Sequence, residues 1–294
     1  MVAALALLSG LIRTIVTRHE VGARYRPAVV ARLTVTAIAT LSYLLILISF
    51  STGYHRVGSE FVPNPGALLT FATRYMDWSV TVPLLTIELL AICAIAGVAA
   101  RRAQYLAMSF AFLMVFAGFV GAFLVDSSTI GPMLLWGAIS SVFWFATVFV
   151  LVRAVRTSLA SLTPASATTI RQATVLLLSS WVIYPVVYCI PFFVGGGAAT
   201  TTIQVLLCAA DVAVKIGFGG LTHHAAKLRT AEDVRAGDDV HHEAIWISSV
   251  KQSDAGSPRE VYLAQGSAVH VTRVKPPTAA AVADSDNDMN SDQY

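Results

Sequence analysis

Charge is scarce in this sequence. Only 13% of its 294 residues are Asp, Glu, Lys or Arg, whereas a typical soluble domain holds roughly 25%. Hydrophobic residues make up 56% of the chain, and the mean hydropathy is +0.68. This composition excludes an ordinary soluble domain and indicates an integral membrane protein surrounded by lipid.

Cysteine is scarce as well, and the few cysteines are scattered. The chain has three, Cys93, Cys189 and Cys208, and all of them fall in apolar segments. They form neither a disulfide framework nor a metal-ligand spacing, so we expect small buried side chains and no metal. The net charge of +3 is spread over loops and favours no nucleic-acid partner. Nothing in these features predicts an enzyme.

Long apolar runs are abundant. Most of them are long enough for a transmembrane helix of about 20 residues, which predicts an all-α protein with a bundle of seven membrane-spanning helices. The apolar segments are roughly 1–17, 28–50, 67–98, 104–125, 131–154, 171–194 and 201–222.

Basic residues indicate how this bundle is oriented. They concentrate in the first, third and fifth loops and after the last span, whereas the other three loops hold only Arg56. The positive-inside rule therefore places the N-terminus outside and the C-terminus in the cytoplasm of a multi-pass plasma-membrane protein.

The composition changes after about residue 226, where Asp, Glu, His, Ser and Gln become frequent. We therefore divide the chain into a seven-helix domain, 1–226, and a largely disordered cytoplasmic tail, 227–294. Within the tail, alternating apolar and polar residues predict a short hairpin near 259–274.

One lysine lies inside an apolar span. The segment Val205–Leu221 holds Asp211 and Lys215, one helical turn apart on one face. An ionisable group at the centre of a membrane helix costs roughly 2.5–3.5 kcal/mol on insertion scales. The pair is either a structural ion pair between helices or a lysine held dry to bind an aldehyde beside an acidic counterion.

A second span carries a row of polar residues between Arg74 and Glu88, and Asp77 and Thr81 lie within that row. Asp77 and Glu88 are eleven residues apart, so they share a helix face about 16 Å apart along the axis. An ionisable row inside a membrane marks an ion or proton path. The alternative is a polar stripe that only joins helices.

These stretches carry a resemblance to a known family. RYMDWSVTVPLL (Arg74–Leu85) resembles helix C of microbial rhodopsins, WVIYPVVY (Trp181–Tyr188) their helix F, and DVAVKIGFGG (Asp211–Gly220) their helix G. The three motifs occur in the family's order, and the resemblance covers about residues 18–226. It implies that Lys215 carries all-trans retinal as a protonated Schiff base.

The resemblance also implies roles for the polar residues. Asp77 would be the counterion and proton acceptor, Asp211 the second counterion, and Glu88 the proton donor. Thr81 would bond Asp77, and Arg74 would steer the released proton outward. The Asp-Thr-Glu triplet matches proteorhodopsin-like and xanthorhodopsin-like pumps, so we expect a light-driven outward proton pump.

Further residues are implied to surround the retinal. Trp78 and Trp181 would sandwich the polyene, and Tyr43 and Tyr184 would hold Asp211. Leucine at position 85 is typical of green-absorbing proteorhodopsins. The full implied retinal-binding set is Tyr43, Trp78, Leu85, Met114, Gly118, Ser140, Ser141, Trp181, Tyr184, Pro185, Tyr188 and Lys215. The resemblance further implies a homo-oligomer, a trimer or a pentamer.

Gly137 raises the question of a second pigment. Bacteriorhodopsin has tryptophan at the matching position, whereas xanthorhodopsin has glycine and binds a carotenoid antenna there. A missing side chain would open a slot from the lipid to the retinal ring. The alternative is close helix packing, which small residues in membrane helices commonly serve.

The chain also departs from the family's pattern. Ser42 stands where these pumps usually carry a histidine beside the proton acceptor, so tuning of Asp77 by histidine is not expected. The tail also leaves open an alternative function, a sensory rhodopsin that signals to a partner through its cytoplasmic tail.

Overall fold

The computed structural model describes residues 1–58, 60–64, 67–124, 130–194 and 196–236, and the backbone of 261–264 and 267–269. The chain divides into two compact units, Met1–Glu243 and Ala244–Tyr294. The described part of the first unit consists mainly of long helices. They are α1 (Val2–Thr17), α2 (Arg26–Gly53), α3 (Ala67–Ala91), α4 (Gly97–Leu124), α5 (Ile130–Leu159), α6 (Pro164–Cys189) and α7 (Gly197–Ala236).

Six of these helices are long and apolar enough to cross a membrane, and α3, which carries the polar row, is the seventh. Large apolar side chains such as Leu44, Phe149 and Val175 are exposed on the outside of the bundle, as lipid contact requires. The predicted seven-helix membrane architecture is confirmed. The orientation of the termini stays a prediction from the basic loops.

A small hairpin closes one end of the bundle. Strands β1 (Tyr54–Val57) and β2 (Glu60–Pro63) pair antiparallel, with Tyr54 opposite Pro63 and Val57 opposite Glu60. Gly58 in the turn has φ +61°, a left-handed conformation that glycine adopts without steric cost. The sequence analysis predicts only loops between the helices and therefore misses these strands.

Two helices depart from regular α geometry beside the motifs. The α6 helix is interrupted at Val182, between the segments Pro164–Trp181 and Ile183–Cys189. Pro185 explains the interruption, because proline lacks a backbone N–H and its ring clashes with the carbonyl four residues earlier. In α7 the segment Ala213–Phe218, which includes Lys215, is a π-helix, a distortion often found at functional sites.

The end of α7 lies beyond the predicted domain boundary. The helix does not end near residue 226 but continues to Ala236. Its extension is held by the loop between α1 and α2: Tyr25 donates to Asp233 Oδ2 at 2.6 Å, and the Gly22 N–H donates to Thr230 Oγ1 at 2.9 Å. Arg229 stacks over the Tyr25 ring at 5.4 Å. We call the end of the bundle that holds Tyr25, Arg229 and Asp233 the basic end.

The second unit contains two described strands, β3 (Val261–Ala264) and β4 (Ser267–Val269), which pair antiparallel with an irregular register. They lie within the range 259–274 that the alternation assigns to a hairpin. The disorder predicted for the tail concerns residues mostly outside the described ones. The division of the chain into a bundle and a tail stays a prediction.

Tyr25→Phe tests whether the loop contact stabilises the bundle. Loss of the hydroxyl leaves a mostly buried carboxylate, Asp233, with one donor fewer, which should cost about 1–3 kcal/mol of unfolding free energy. Tyr105→Phe is the matched control because Tyr105 is 71% exposed. We expect thermal unfolding in detergent to show a lower midpoint for Tyr25→Phe only. Equal midpoints for the two variants would contradict a stabilising role.

Candidate functional site

Lys215 lies at the centre of the bundle and is 2% exposed. Its ammonium bonds Asp77 Oδ2 on α3 and lies 3.7 Å from Asp211 Oδ1, one turn earlier on α7. Because isolated ions are costly to bury, these two carboxylates provide the compensation that the lysine needs. The structure thus brings together the three ionisable residues that the sequence analysis links to one site.

Asp211 is the more firmly held of the two carboxylates. Tyr43 donates to Oδ2 at 2.7 Å, and Tyr184 donates to Oδ1 at 2.7 Å, as the resemblance implies. Trp78 adds an indole N–H to Oδ1 at 3.2 Å, a bond that the sequence analysis does not predict. Donors to both oxygens favour the ionised form, so the surroundings suit a permanent anion.

Asp77 is held differently. Its Oδ2 bonds Lys215, but Oδ1 has no hydrogen-bond partner among the residues that the structure describes. Thr81 bonds Asp77, as the resemblance implies, but it donates at 2.9 Å to the backbone carbonyl and leaves the carboxyl group without a bond from Thr81. Threonine hydroxyls in helices often bond the carbonyl four residues earlier, and here that local bond wins. One oxygen of Asp77 therefore remains available for a proton.

Arg74 lies on the hairpin side of the carboxylates. It is buried, and its NH1 donates to Tyr43 Oη at 3.1 Å and lies 3.5 Å from Asp211 Oδ2. Its NH2 donates to Gln204 Oε1 at 2.8 Å, and Gln204 in turn donates to Tyr54 Oη at 3.4 Å. A polar connection therefore runs from Asp211 toward the hairpin.

Glu88 lies on the other side of the site, toward the basic end. It is almost fully buried and accepts a hydrogen bond from the Thr222 hydroxyl of α7. The sequence analysis does not identify Thr222, although a signal exists. Thr222 follows Lys215 by seven residues and so lies on the same helix face, two turns further on.

An apolar cavity of about 530 Å³ lies beside the aromatic residues that bond Asp211, and its volume is within the range of roughly 300–1,000 Å³ for small-molecule sites. Trp78 and Tyr184 line the cavity and also bond Asp211, so it ends beside the partners of Lys215. The predicted residues that line it are Trp78, Met114, Gly118, Gly137, Ser140, Ser141, Trp181, Tyr184, Pro185 and Tyr188.

Other residues of the predicted set lie outside the cavity wall. Tyr43 contacts Asp211 instead, and Leu85 is buried in the helix core. Lys215 contacts Asp77 and is not itself among the residues that line the cavity. Phe71 and Tyr75 line the cavity without being predicted. Tyr75 precedes the Asp77-Trp78 pair in the helix C motif, which is a signal that could have identified it. A cavity of this size and apolarity, whose wall includes the donors to the carboxylate beside Lys215, fits an elongated apolar aldehyde such as retinal.

Comparison with known proteins identifies relatives over most of the chain. The family model of bacteriorhodopsin-like proteins matches residues 1–228. Bacteriorhodopsin-I of Haloarcula marismortui is 28% identical over 207 residues, which are 68% of this chain and 77% of that protein. Cruxrhodopsin-3 of Haloarcula vallismortis is 27% identical over 227 residues, 74% of this chain and 85% of that protein.

Solved structures resemble the bundle. The crystallographic structure of xanthorhodopsin, a light-driven ion pump with dual chromophore, matches with a TM-score of 0.72 at 26% identity, over 79% of this chain and 92% of that chain. A thermophilic rhodopsin matches with a TM-score of 0.71 at 27% identity, with the same coverage.

Asp211 and Asp77 are bonded unequally, so we expect that replacing them destabilises the protein to different extents. Asp211→Asn removes the negative charge that three hydrogen-bond donors surround, and it leaves both Arg74 and Lys215 without their shared anion. It should therefore lower the free energy of unfolding by about 3–5 kcal/mol. Asp77→Asn leaves Lys215 with Asp211 and should cost less. Chemical unfolding of the retinal-free proteins in detergent measures both. If Asp77→Asn lowered the free energy of unfolding as much as Asp211→Asn, Asp211 would not be the more firmly held carboxylate.

Proposed function

The chain belongs to the family of bacteriorhodopsin-like proteins, and on that basis we propose that this multi-pass membrane protein is a light-driven outward proton pump that uses all-trans retinal. The observation that carries the proposal is the placement of three buried carboxyl groups along one path. Asp77 and Asp211 adjoin Lys215, and Glu88 lies further toward the basic end. A chloride pump would need a neutral residue in place of Asp77.

Retinal fits the apolar cavity, and bound to Lys215 as a protonated Schiff base it would supply light absorption and photoisomerisation. Trp78, Trp181 and Tyr184 would hold it from the cavity wall. With retinal bound, these rigid aromatic side chains would exclude water from the site, which strengthens the electrostatic interactions there.

The two carboxylates beside Lys215 have different roles in proton transfer. Asp77 accepts the proton from the Lys215 nitrogen, because its Oδ2 already bonds that nitrogen and its Oδ1 is free of protein donors in the described residues. Asp211 stays ionised under its aromatic donors. Arg74 lies on the hairpin side of this pair and favours release of the proton toward that end.

Glu88 returns a proton to the Lys215 nitrogen from the opposite side. Its burial among apolar helices allows it to hold a proton until the site needs one. This role weighs against the sensory alternative, since signalling does not need an efficient internal donor. The outward direction, the cytoplasmic position of the basic end and the oligomeric state remain parts of the proposal.

Light-driven acidification tests the pump. Illuminated, unbuffered cells that express the protein with retinal should acidify the medium, and a protonophore should abolish the signal. Asp77→Asn should remove transport, and Glu88→Gln should slow recovery of the ground state. Glu232→Gln is the matched control, because this carboxylate accepts a hydrogen bond from the Ser166 hydroxyl and lies beyond Thr222 on α7, further from Lys215. A pigmented protein that never acidifies the medium would instead support the sensory alternative.

Gly137 is the residue on which we base the antenna hypothesis. It lines the cavity together with Leu134 and Phe145, whose side chains are exposed on the outside of the bundle, so the cavity wall extends to the surface that would face lipid. A methyl group at Gly137 would lie 3.0 Å from Tyr188 Cε1, which equally supports the packing alternative. Xanthorhodopsin, the similar structure, has a dual chromophore.

A carotenoid-binding assay separates the two roles of Gly137. We expect the purified protein to bind a hydroxylated carotenoid, with sharpened vibronic bands and sensitised retinal emission, and Gly137→Trp to lose both signals. Gly131→Trp is the control, because nothing lies within 4 Å of a Cβ at Gly131. Binding by Gly137→Trp, or no binding by the wild type, would leave Gly137 as a packing residue for Tyr188.

A further inference from the structure

A polar cluster at the basic end is unused by the mechanism described so far. It consists of Glu20, Arg32, His223 and Lys227, and we call it the His223 cluster. His223 Nε2 lies 3.3 Å from Glu20 Oε2, and Lys227 Nζ donates to the same oxygen at 2.8 Å. The Glu20 side chain is 23% exposed, whereas His223 is buried. The cluster therefore leads from solvent into the bundle.

The inner side of the cluster adjoins Glu88. Thr222, the residue before His223, donates its hydroxyl hydrogen bond to Glu88. Arg32 lies beside the same carboxylate: a methyl group added at Gly219 would be 3.2 Å from Arg32 Nε and 3.6 Å from Glu88 Oε1. Arg32 is thus placed next to the internal carboxyl group.

Arg32 is an unusual residue in this position. It is only 3% exposed, and its Nε and NH1 find no hydrogen-bond partner among the described residues. A buried guanidinium favours a nearby carboxylate over the neutral acid and disfavours a nearby imidazolium. Its charge therefore helps to compensate the Glu88 carboxylate once that group has given up its proton.

We propose that His223 and Glu20 form a proton-uptake relay that refills Glu88 from the basic end, which rests on the proposed pump function. After Glu88 has given up its proton, the Glu20–His223 pair takes one proton from water. The imidazolium of His223 then gives that proton to the Glu88 carboxylate, so that neutral imidazole and neutral acid result. Only N–H and O–H bonds form or break, and one proton enters for each one delivered to Lys215.

The alternative is a purely structural role, in which Glu20 ties the loop after α1 to α7. Replacement of Lys227 is the matched control, because Lys227 also pairs with Glu20. This replacement removes that pair and keeps the His223 imidazole. Among the described residues, Glu20 contacts the His223 ring directly, Lys227 pairs with the same carboxylate, and Arg32 is the further charged group that acts on the imidazole. Separate replacement of His223 and Lys227 therefore distinguishes proton transfer from attachment of the loop.

Flash-induced absorbance changes and a pH dye measure the relay in the full-length pigmented protein. His223→Gln should slow proton uptake and ground-state recovery about 10-fold or more, since a positioned proton-transfer group contributes roughly 10²–10⁴-fold. The slowing should increase as the pH rises, because uptake then depends on free protons. Millimolar imidazole should restore the rate. Lys227→Met should change the rate less than about twofold, because a partly exposed ion pair contributes little.

Three results would overturn the relay: wild-type recovery in His223→Gln, equal slowing in Lys227→Met without rescue by imidazole, or further slowing when His223→Gln is added to Glu88→Gln. A relay that acts through Glu88 has no effect once Glu88 is replaced. A wild-type protein that does not acidify the medium overturns the proposed pump itself. Normal pumping with unchanged uptake in His223→Gln overturns only the relay.

Discussion

The rest of the bundle depends on one buried ammonium group shared by two carboxylates. An ion of this size loses several kcal/mol when it leaves water, even after the protein relaxes. Lys215 is compensated by Asp77 and Asp211, and these anions need donors of their own. The donors to Asp211 come from α2, α3 and α6. These three helices and α7 must therefore meet at one level of the bundle.

The hydrogen bonds distinguish carboxyl groups of the same chemical type. Asp211 accepts three bonds from rigid aromatic side chains, whereas Asp77 has one oxygen without a protein donor in the described part of the chain. Glu88 accepts one bond from a threonine. A group that keeps its charge and groups that exchange protons can therefore coexist within one bundle, since each bond to an oxygen stabilises the ionised form.

The extension of α7 is held to the rest of the bundle at the basic end by hydrogen bonds, unlike a helix terminus that projects into solvent. Asp233 and Thr230 bind the loop after α1, and Arg229 donates to the Ile92 carbonyl at 3.2 Å. The bonds of Asp233 and Thr230 position the same loop that carries Glu20. The contact that stabilises the bundle thus also places the His223 cluster at its entrance.

Sequence alone determined the features that depend on order along the chain. Apolar run length predicted the helices, and the spacing of Asp211 from Lys215 and of Asp77 from Glu88 predicted shared faces. Local geometry is set by neighbours within one or two turns, so such patterns can be read directly. The helix C, F and G motifs likewise identified the family, and the first two of them supplied part of the cavity wall: Trp78, Trp181, Tyr184, Pro185 and Tyr188.

Only the tertiary structure decided which groups meet across helices. The Glu88–Thr222 and Trp78–Asp211 bonds join residues 134 and 133 positions apart, and they depend on how each helix is rotated against its neighbours. Periodicity does not encode that rotation, so Arg32 beside Glu88 could not be predicted. The same holds for the extension of α7 to Ala236, because a polar helix without a strong apolar face is stabilised by contacts with a distant loop rather than by its own pattern.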